Sequence, residues 1–317
     1  NLLDIVHKVK ARGMGIIYIS HHLDEVFRIA DKITVIRDGQ YIKTVGVNET
    51  DEPHLVRDMV GRDASAFYTR EFYPAGETVM EVKNLTGNGV RNVSFKLRRG
   101  EIVGFAGMVG SGRSELMTLL FGGAERLTGE VEVLGKKVNY KNPSDAIKNK
   151  MCYITEDRQH TGLFLIHTIA RNTLIANMVN TKGSYINPKT EMKVGNEFVE
   201  KLGTKAKDAA VLAGNLSGGN QQKVVLAKWF NTDGEIFIFD EPTRGIDVGA
   251  KQEIYQIMMD LLKQGKAIIM VSSDMPEVVS MSDRVMVMKA GELVGELGRD
   301  EISEENILEY SIGGKKI

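Results

Sequence analysis

Apolar positions along the chain follow two patterns, one typical of buried strands and one typical of amphipathic helices. Short runs that are fully apolar or β-branched predict strands, and they lie at 79–82, 93–97, 101–106, 236–239, 267–271 and 284–288. Apolar residues spaced at i, i+3, i+4 and i+7 predict helices, and they lie at 114–121, 171–179, 191–202 and 251–263. Strands that alternate with helices indicate an α/β fold with a mostly parallel sheet.

Part of this pattern occurs twice in the chain. Residues 13–46 align without a gap with residues 265–298, and ten of the 34 aligned positions are identical. The identities include Asp31 with Asp283. Aligned acids and glycines in an ungapped match favour an internal repeat over the convergence of two unrelated β-α-β segments. We therefore expect the chain to hold the end of one domain and the whole of a second.

A stretch without sustained periodicity separates the two copies. It carries Pro74 and Gly76, and both residue types interrupt helices and strands. We predict that 1–62 is the C-terminal remnant of the first domain, that 63–76 is a linker, and that 77–317 is the complete second domain.

Composition excludes several classes of function. The chain is 42% hydrophobic, which excludes wholesale disorder. Its formal net charge is -1, so the chain lacks the basic excess that would indicate nucleic acid as a partner. A single cysteine, Cys152, excludes a disulfide within the chain and favours a reducing compartment. No apolar run approaches the ~20 residues that a membrane span needs.

A glycine-rich turn between a predicted buried strand and a predicted helix is the first candidate site. Its sequence is Gly107-Met-Val-Gly110-Ser111-Gly112-Arg113-Ser114. Glycines let backbone N–H groups curl round an anion, and the helix N-terminus adds a partial positive charge. The expected nucleotide contacts are Gly107, Gly110, Ser111, Gly112, Arg113, Ser114 and Glu115. The alternative is a glycine-rich turn that only packs closely on a neighbour.

Two of these residues carry specific expectations. The hydroxyl of Ser114 is expected to ligate Mg²⁺. Arg113 replaces the lysine that is usual in such loops; it can grip phosphate as a planar fork but is bulkier than lysine.

Two carboxylates follow the predicted strand 236–239. In open α/β sheets, ligands bind at the carboxyl ends of the strands, which is where Asp240 and Glu241 lie. We expect Asp240 to hold Mg²⁺ through water and Glu241 to polarise the attacking water as a general base. The alternative is a solvated strand end.

The octapeptide Leu216-Ser217-Gly218-Gly219-Asn-Gln221-Gln-Lys resembles the signature of ATP-binding cassette (ABC) ATPases. Ser217 is expected to cap a helix, while Gly218 and Gly219 leave bare N–H groups that can face a γ-phosphate. Gln221 is expected to contribute to the same site. The resemblance implies that this phosphate belongs to a nucleotide held by another cassette, so that two cassettes stack head to tail and share each site.

The run from Asp240 to Lys251 is similar to the form found in ATPases of simple-sugar importers of the ribose, galactose and xylose kind. Those proteins carry two fused cassettes, and the resemblance covers the whole chain. It places Asp247 at the D-loop position, Glu156 where most cassettes have the Q-loop glutamine, and Ser273 where most have the switch histidine. The repeat aligns His21 with Ser273, which makes His21 the expected switch histidine of the first cassette.

The resemblance implies an α/β P-loop NTPase fold of the ABC ATPase type. A mostly parallel core is expected, with an antiparallel β region and a helical subdomain at about 157–213. The implied function is ATP hydrolysis, with ATP and Mg²⁺ as cofactors, that powers the import of a monosaccharide. The implied partners are transmembrane permease subunits, a sugar-binding protein reached through them, and a first cassette or a second copy, without nucleic acid. The implied location is peripheral, on the cytoplasmic face of the cell membrane.

Arg113, Glu156 and Ser273 depart from the general cassette pattern. We therefore expect the second-cassette site to hold ATP but to turn over poorly, with Arg113 or Mg²⁺ compensating the charge of Glu156. A soluble ABC ATPase acting on ribosomes or DNA is one alternative, and a non-hydrolysing regulatory module is another. The balanced charge and the short linker argue against the former, and Glu241 argues against the latter. Phe72 and Tyr73 are the candidates for stacking on adenine, and the alternative is that they only pack the linker.

Overall fold

The computed structural model describes residues 2–19, 23–37, 40–51, 54, 55, 58, 70–181 and 187–313. The chain divides into two compact units: the first combines 1–69 with 246–253, and the second combines 70–245 with 254–317. The elements of the first segment are α1 (Leu2–Lys10), α2 (Leu23–Ile29), β1 (Lys32–Arg37) and β2 (Gln40–Gly46).

The remaining elements begin after Arg70. The first group is β3 (Thr78–Gly87), β4 (Val90–Arg98), β5 (Ile102–Ala106), α3 (Arg113–Leu120), β6 (Thr128–Val133), β7 (Lys136–Val138), α4 (Pro143–Lys148) and β8 (Met151–Ile154). The second group is α5 (Ile169–Ile175), α6 (Pro188–Lys201), α7 (Gly218–Phe230), β9 (Ile236–Asp240), α8 (Val248–Lys263), β10 (Ala267–Val271), α9 (Met275–Met281), β11 (Arg284–Lys289), β12 (Glu292–Gly298) and α10 (Glu304–Ile312).

The first unit has a small apolar core between α2 and the β1–β2 hairpin. Its buried members are Leu23, Ile33, Val35 and Leu55. Residues 14–19 form no regular secondary structure, and Ile17 and Ile19 are 93% and 92% exposed. These apolar side chains therefore find no packing partners within the described part of the unit.

The internal repeat extends to the details of the backbone. Helix α2 and strands β1 and β2 recur 252 residues later as α9, β11 and β12, with the same lengths. Both hairpins are antiparallel, and their register shifts at the equivalent points, Val35/Ile36 and Val287/Met288. The predicted domain boundaries at 62 and 76 stay predictions.

The second unit is built on a six-stranded sheet in the order β12-β11-β5-β10-β9-β8. Neighbours from β11 to β8 run parallel, and β12 joins β11 in the antiparallel direction. Every residue of β5, β9 and β10 is buried, as expected for strands covered on both faces. The carboxyl ends of these three strands lie side by side at one edge of the sheet.

An antiparallel sheet and a helical region complete the second unit. The antiparallel sheet has the order β4-β3-β6-β7. In the helical region α6 packs closely on α5, because a Cβ at Gly195 would lie 2.7 Å from the Ala170 Cα. The expected architecture, with a mostly parallel core, an antiparallel β region and a helical subdomain, is confirmed. Among the described helices, none is long and apolar enough to cross a membrane.

Candidate functional site

Three segments that follow buried parallel strands form the candidate site. The phosphate loop 107–112 follows β5, the pair Asp240-Glu241 ends β9, and Ser272-Ser273 follows β10. Because β10 pairs with both β5 and β9, the sheet brings the predicted phosphate-binding, acidic and switch positions of this cassette to one edge. This is the location where α/β sheets bind ligands.

The phosphate loop requires glycine for both conformation and space. Gly107 and Gly112 have φ angles of +148° and +101°, a region that side-chain-bearing residues rarely adopt. A Cβ at Gly112 would lie 2.9 Å from the Gly291 Cα, and one at Gly107 would collide with the Met288 carbonyl oxygen. The loop therefore lies tightly against the β11–β12 turn, and helix α3 begins directly after it.

The loop also presents an unsatisfied donor. Ser111 is buried, and within the described part of the chain its hydroxyl has no hydrogen-bond partner. A buried polar group without a partner is costly, so a ligand that accepts a hydrogen bond here would remove that cost. The glycine cradle and this hydroxyl fit an anion such as a phosphate.

Asp240 is the most buried carboxylate of the site. Ser114 Oγ donates to its Oδ1 at 3.2 Å, and Tyr153 OH donates to its Oδ2 at 2.8 Å. Burial raises the pKa of Asp240 to about 6 despite these two donors. Oxygen donors of this kind are the ligands that Mg²⁺ prefers, so Ser114 and Asp240 fit a magnesium site.

Glu241 lies next in the chain with a left-handed backbone, φ +49°. Its Oε2 accepts a hydrogen bond from Ser273 Oγ at 2.9 Å, and its Oε1 lies 3.9 Å from Nη2 of Arg113. The structure thus brings Glu241, Ser273 and Arg113 together. The roles predicted for them in hydrolysis stay predictions.

Arg113 is bound within the protein rather than extended from the loop. Its side chain is buried, and Nη1 donates to the Ser272 carbonyl oxygen at 2.7 Å. A guanidinium group has several N–H donors, and at least one of them is used to tie α3 to the segment after β10. The phosphate contact predicted for Arg113 would have to use its other donors.

Glu156 is neutralised by a residue that sequence reasoning missed. Its carboxylate pairs with Arg244, whereas the sequence analysis expected Arg113 or Mg²⁺ to compensate it. Arg158 donates to the carbonyl oxygens of Arg244 and Gly245 at 2.8 and 3.0 Å, which holds the segment after β8 against the segment after Glu241. The proximity of Arg244 depends on how the strands pack, and no spacing in the sequence reveals it.

The signature residues lie at the start of α7, as predicted, but the side chain of Ser217 does not cap the helix. Its Oγ accepts a hydrogen bond from the Asn220 side chain at 2.9 Å, and no backbone N–H of α7 donates to it. Ser217 therefore occupies the N-cap position as expected, but the expected capping bond from its side chain is absent. The N–H groups of Gly218 and Gly219 remain without a side-chain cap.

Neighbouring side chains and backbone also limit the space around the signature residues. A Cβ at Gly218 would lie 2.8 Å from Arg158 Nη2 and 3.2 Å from the Gly245 carbonyl oxygen, so a larger residue here would have to displace that guanidinium. Gln221 is buried, and its side chain donates to the Ala213 carbonyl oxygen at 3.3 Å. It is directed into the helical region, while its predicted ligand contact stays a prediction.

The remaining predicted residues make local contacts of their own or lie outside the described residues. Asp247 belongs to the first compact unit, where its Oδ1 accepts from the Ala250 N–H at 2.9 Å near the start of α8. Glu115 lies in the first turn of α3, and its carbonyl oxygen accepts from Asn88 at 3.0 Å. His21 lies outside the described residues.

The two candidates for stacking on adenine both make contacts within the protein. The guanidinium carbons of Arg70 and Arg299 lie 4.5 and 4.4 Å from the centre of the Phe72 ring, which are cation–π contacts. The Tyr73 hydroxyl hydrogen-bonds to the Glu71 carboxylate. Stacking of either ring on adenine stays a prediction.

The comparisons with known sequences agree with one another. The sequence pattern of the ABC transporter family matches residues 90–244. The chain is 43% identical over 314 residues to the ribose import ATP-binding protein RbsA of Clostridium tetani, covering 98% of this chain and 62% of that protein. It is 44% identical over 316 residues to RbsA of Oceanobacillus iheyensis, covering 99% and 64%. The chain thus spans less than two thirds of the length of these relatives.

Solved structures share the fold. An ATP-binding cassette of an ABC transporter in its ADP conformation matches with a TM-score of 0.63 at 21% identity, over 75% of this chain and 99% of that one. A dimeric cassette in a post-hydrolysis state with ADP and Pi matches with a TM-score of 0.61 at 21% identity, over 69% and 98%. At this level of identity the likeness establishes the P-loop fold of ABC ATPases and nothing finer.

Proposed function

This chain carries a domain of the ABC transporter family over residues 90–244, and from this premise we propose that it binds Mg²⁺ and ATP and hydrolyses ATP to power the import of a sugar. The observation that supports this most is the meeting of the phosphate loop and Asp240 at one sheet edge. The names of its relatives make ribose the first sugar to test.

In this proposal different groups of the chain bind phosphate, hold the metal ion and accept the proton. Backbone N–H groups of the loop and the Ser111 hydroxyl bind phosphate, and Ser114 and Asp240 hold the magnesium ion, Asp240 through water. The ion, when bound, neutralises phosphate charge. Glu241 accepts a proton from the attacking water.

The second-cassette site is proposed to turn over slowly. Glu241 accepts a hydrogen bond from Ser273 and lies 3.9 Å from a guanidinium nitrogen of Arg113. These contacts occupy the carboxylate that would have to accept a proton from the attacking water, and Ser273 stands where a histidine is expected. The residues Ser217, Gly218 and Gly219 are proposed to serve a nucleotide in a first cassette, where His21 acts as the switch residue.

We also propose that residues 1–62 are the C-terminal part of that first cassette. Ile16, Ile17 and Ile19 are exposed, whereas their repeat equivalents Ile268, Ile269 and Val271 are buried between β5 and β9. The same apolar pattern at the same offset indicates a strand that needs neighbours on both sides. The repeat supports this domain assignment independently of the nucleotide site.

Membrane partners are proposed to dock on the helical region. Residues 163–168 lie beside 211–214, because Ala213 N–H donates to His167 O and Gly214 N–H donates to Leu165 O, both at 3.0 Å. This paired segment exposes Phe164, Ile166 and Leu212. Such a cluster fits an apolar surface of a permease subunit at the cytoplasmic face of the membrane, through which a sugar-binding protein would be reached.

The proposed nucleotide site is tested by Gly112→Ala. The added Cβ must displace the Gly291 backbone and strain a positive φ, so we expect the affinity for Mg²⁺ and ATP to fall at least tenfold, which corresponds to about 1.4 kcal/mol. Isothermal titration calorimetry measures it. Gly298→Ala is the matched control, because its Cβ would meet an ordinary contact at 3.6 Å. Wild-type affinity in Gly112→Ala would contradict the proposed site.

A further inference from the structure

The strand β8 places a buried hydroxyl against the candidate metal-binding carboxylate. Tyr153 OH donates to Asp240 Oδ2 at 2.8 Å, while Ser114 Oγ donates to Oδ1 at 3.2 Å. Rotation of a carboxylate about its terminal torsion has a broad energy profile. One donor on each oxygen therefore fixes the plane of the Asp240 carboxylate, and a single donor would leave it free to turn.

Tyr153 is itself held in place by packing. Its ring makes an edge-to-face contact with Phe121 at 5.4 Å between ring centres, and Phe121 makes another with Trp229 at 5.7 Å. A phenol carries its proton at neutral pH, and the bond geometry makes the Tyr153 hydroxyl the donor and the Asp240 carboxylate the acceptor.

We propose that Tyr153 is a positioning residue for the metal, whose hydroxyl orients Asp240 and so sets how strongly nucleotide binding depends on Mg²⁺. This inference rests on the proposed nucleotide site. Tyr153 acts through Asp240, because its hydroxyl is directed at the carboxylate oxygen on the side away from the Ser114 bond. Loss of the hydroxyl should weaken the metal-dependent part of binding and leave the phosphate loop unchanged.

The test is Tyr153→Phe in the full chain, which removes one oxygen and keeps the ring that packs on Phe121. The affinity for the non-hydrolysable analogue AMP-PNP is measured by calorimetry, once with excess MgCl₂ and once with EDTA. Tyr140→Phe is the matched control, because among the described residues the Tyr140 hydroxyl has no hydrogen-bond partner. Far-UV circular dichroism and thermal unfolding verify that each variant is folded.

We expect Tyr153→Phe to weaken binding with Mg²⁺ about tenfold, the usual scale for a hydrogen bond to a charged group, with the affinity in EDTA unchanged within twofold. Tyr140→Phe should match the wild type in both conditions. Equal affinities in Tyr153→Phe and the wild type would overturn the inference and leave the proposed function intact. Equal losses with and without Mg²⁺ would also overturn it, because they indicate a structural role only. A wild-type chain that binds no nucleotide would overturn both proposals.

A second pair of variants applies if Tyr153→Phe does not fold. Tyr153→Gln and Tyr153→Leu are similar in size, and only the glutamine carries a donor. Metal-dependent affinity that is stronger in the glutamine variant than in the leucine variant supports the positioning role. Equal affinities in the two overturn it.

Discussion

At the scale of single residues, the two carboxylates of the candidate site differ in what surrounds them. Asp240 is buried and holds one donor on each oxygen, from Ser114 and Tyr153. Glu241 is bound by the hydroxyl of Ser273 and lies 3.9 Å from a guanidinium nitrogen. The first arrangement fits a fixed metal ligand, and the second ties the other carboxylate to groups of two neighbouring segments.

A buried amine provides a prediction for pH. Burial lowers the pKa of Lys228 to about 8, and its Nζ donates to the Gly162 carbonyl oxygen at 2.6 Å. Since the unfolded chain binds this proton more tightly, with a pKa near 10.5, the free energy of unfolding should rise with pH between about 8 and 10.5. The Lys228 contribution to that rise is about 3 kcal/mol.

Chemical denaturation of the wild type and Lys228→Met across this pH window measures the effect. The variant should lack the Lys228 contribution. The unfolding free energy of the wild type minus that of the variant should therefore increase as the pH rises from 8 to 10.5. Lys263→Met, at an exposed position of α8, is the control and should keep the wild-type dependence. A difference that does not vary with pH would contradict the buried-amine account.

At the scale of elements, the antiparallel strands show where periodicity is informative. The alternation predicted strands at 79–82 and 93–97, and the structure has Thr78–Gly87 and Val90–Arg98. The pairing shifts register between Val82 and Leu85, where Asn84 adopts a φ of +50°. Such an irregularity interrupts the two-residue period, so the sequence pattern stops while the strand continues.

For one helix the sequence pattern extends beyond the end of the element instead of stopping short of it. Helical spacing predicted 171–179, but α5 ends at Ile175 and a 3₁₀ turn follows over Ala176–Asn180. The apolar spacing continues through both, because a 3₁₀ turn places side chains at nearly the same intervals. The spacing therefore detects the element, and only the backbone hydrogen bonds define where it ends.

The exposed apolar segment of the helical region provides a prediction at this scale. Ile166 is 81% exposed, so Ile166→Asp should leave folding and nucleotide affinity within twofold of the wild type. It should reduce co-purification with the permease subunits and sugar uptake at least tenfold, because a buried unpaired charge is costly at an apolar interface. Leu127→Asp, also at an exposed position, is the control. Normal assembly of the Ile166 variant would exclude this segment as the docking surface.

At the scale of the whole molecule, the proposal depends on sites shared between two cassettes. The chain holds one phosphate loop and one signature, and residues 216–219 make their hydrogen bonds within the helical region. In the proposal, their uncapped N–H groups meet a phosphate that another cassette holds. Arg113, Glu156 and Ser273, which depart from the general cassette pattern, then belong to one of the two sites, the one that contains this phosphate loop.

Reversing those departures tests the asymmetry. In a protein with both cassettes, Arg113→Lys, Glu156→Gln and Ser273→His together should raise turnover at the second site several-fold, because they free Glu241 from its two neighbours and supply a histidine that can orient water. Single-turnover ATP hydrolysis measures this, with the first site inactivated. The conservative exchange Arg98→Lys at an exposed position should have no effect. Unchanged turnover in the triple variant would contradict the asymmetry.

Features that lie within contiguous segments could be read from the amino-acid sequence alone. The phosphate loop, the acidic strand end, the signature helix and the internal repeat could all be predicted, because each depends on local residue types and short-range periodicity. The α/β architecture followed from their order along the chain.

The groups that surround these motifs depend on how distant segments pack together. The bond from Tyr153 to Asp240 joins residues 87 positions apart, and the bond from Arg113 to Ser272 spans 159 positions. The pairing of Glu156 with Arg244 and the contact of Arg299 with the Phe72 ring also join segments that are distant in the sequence. Strand order and packing set these distances, and no local pattern in the sequence encodes which distant side chain will arrive at a given atom.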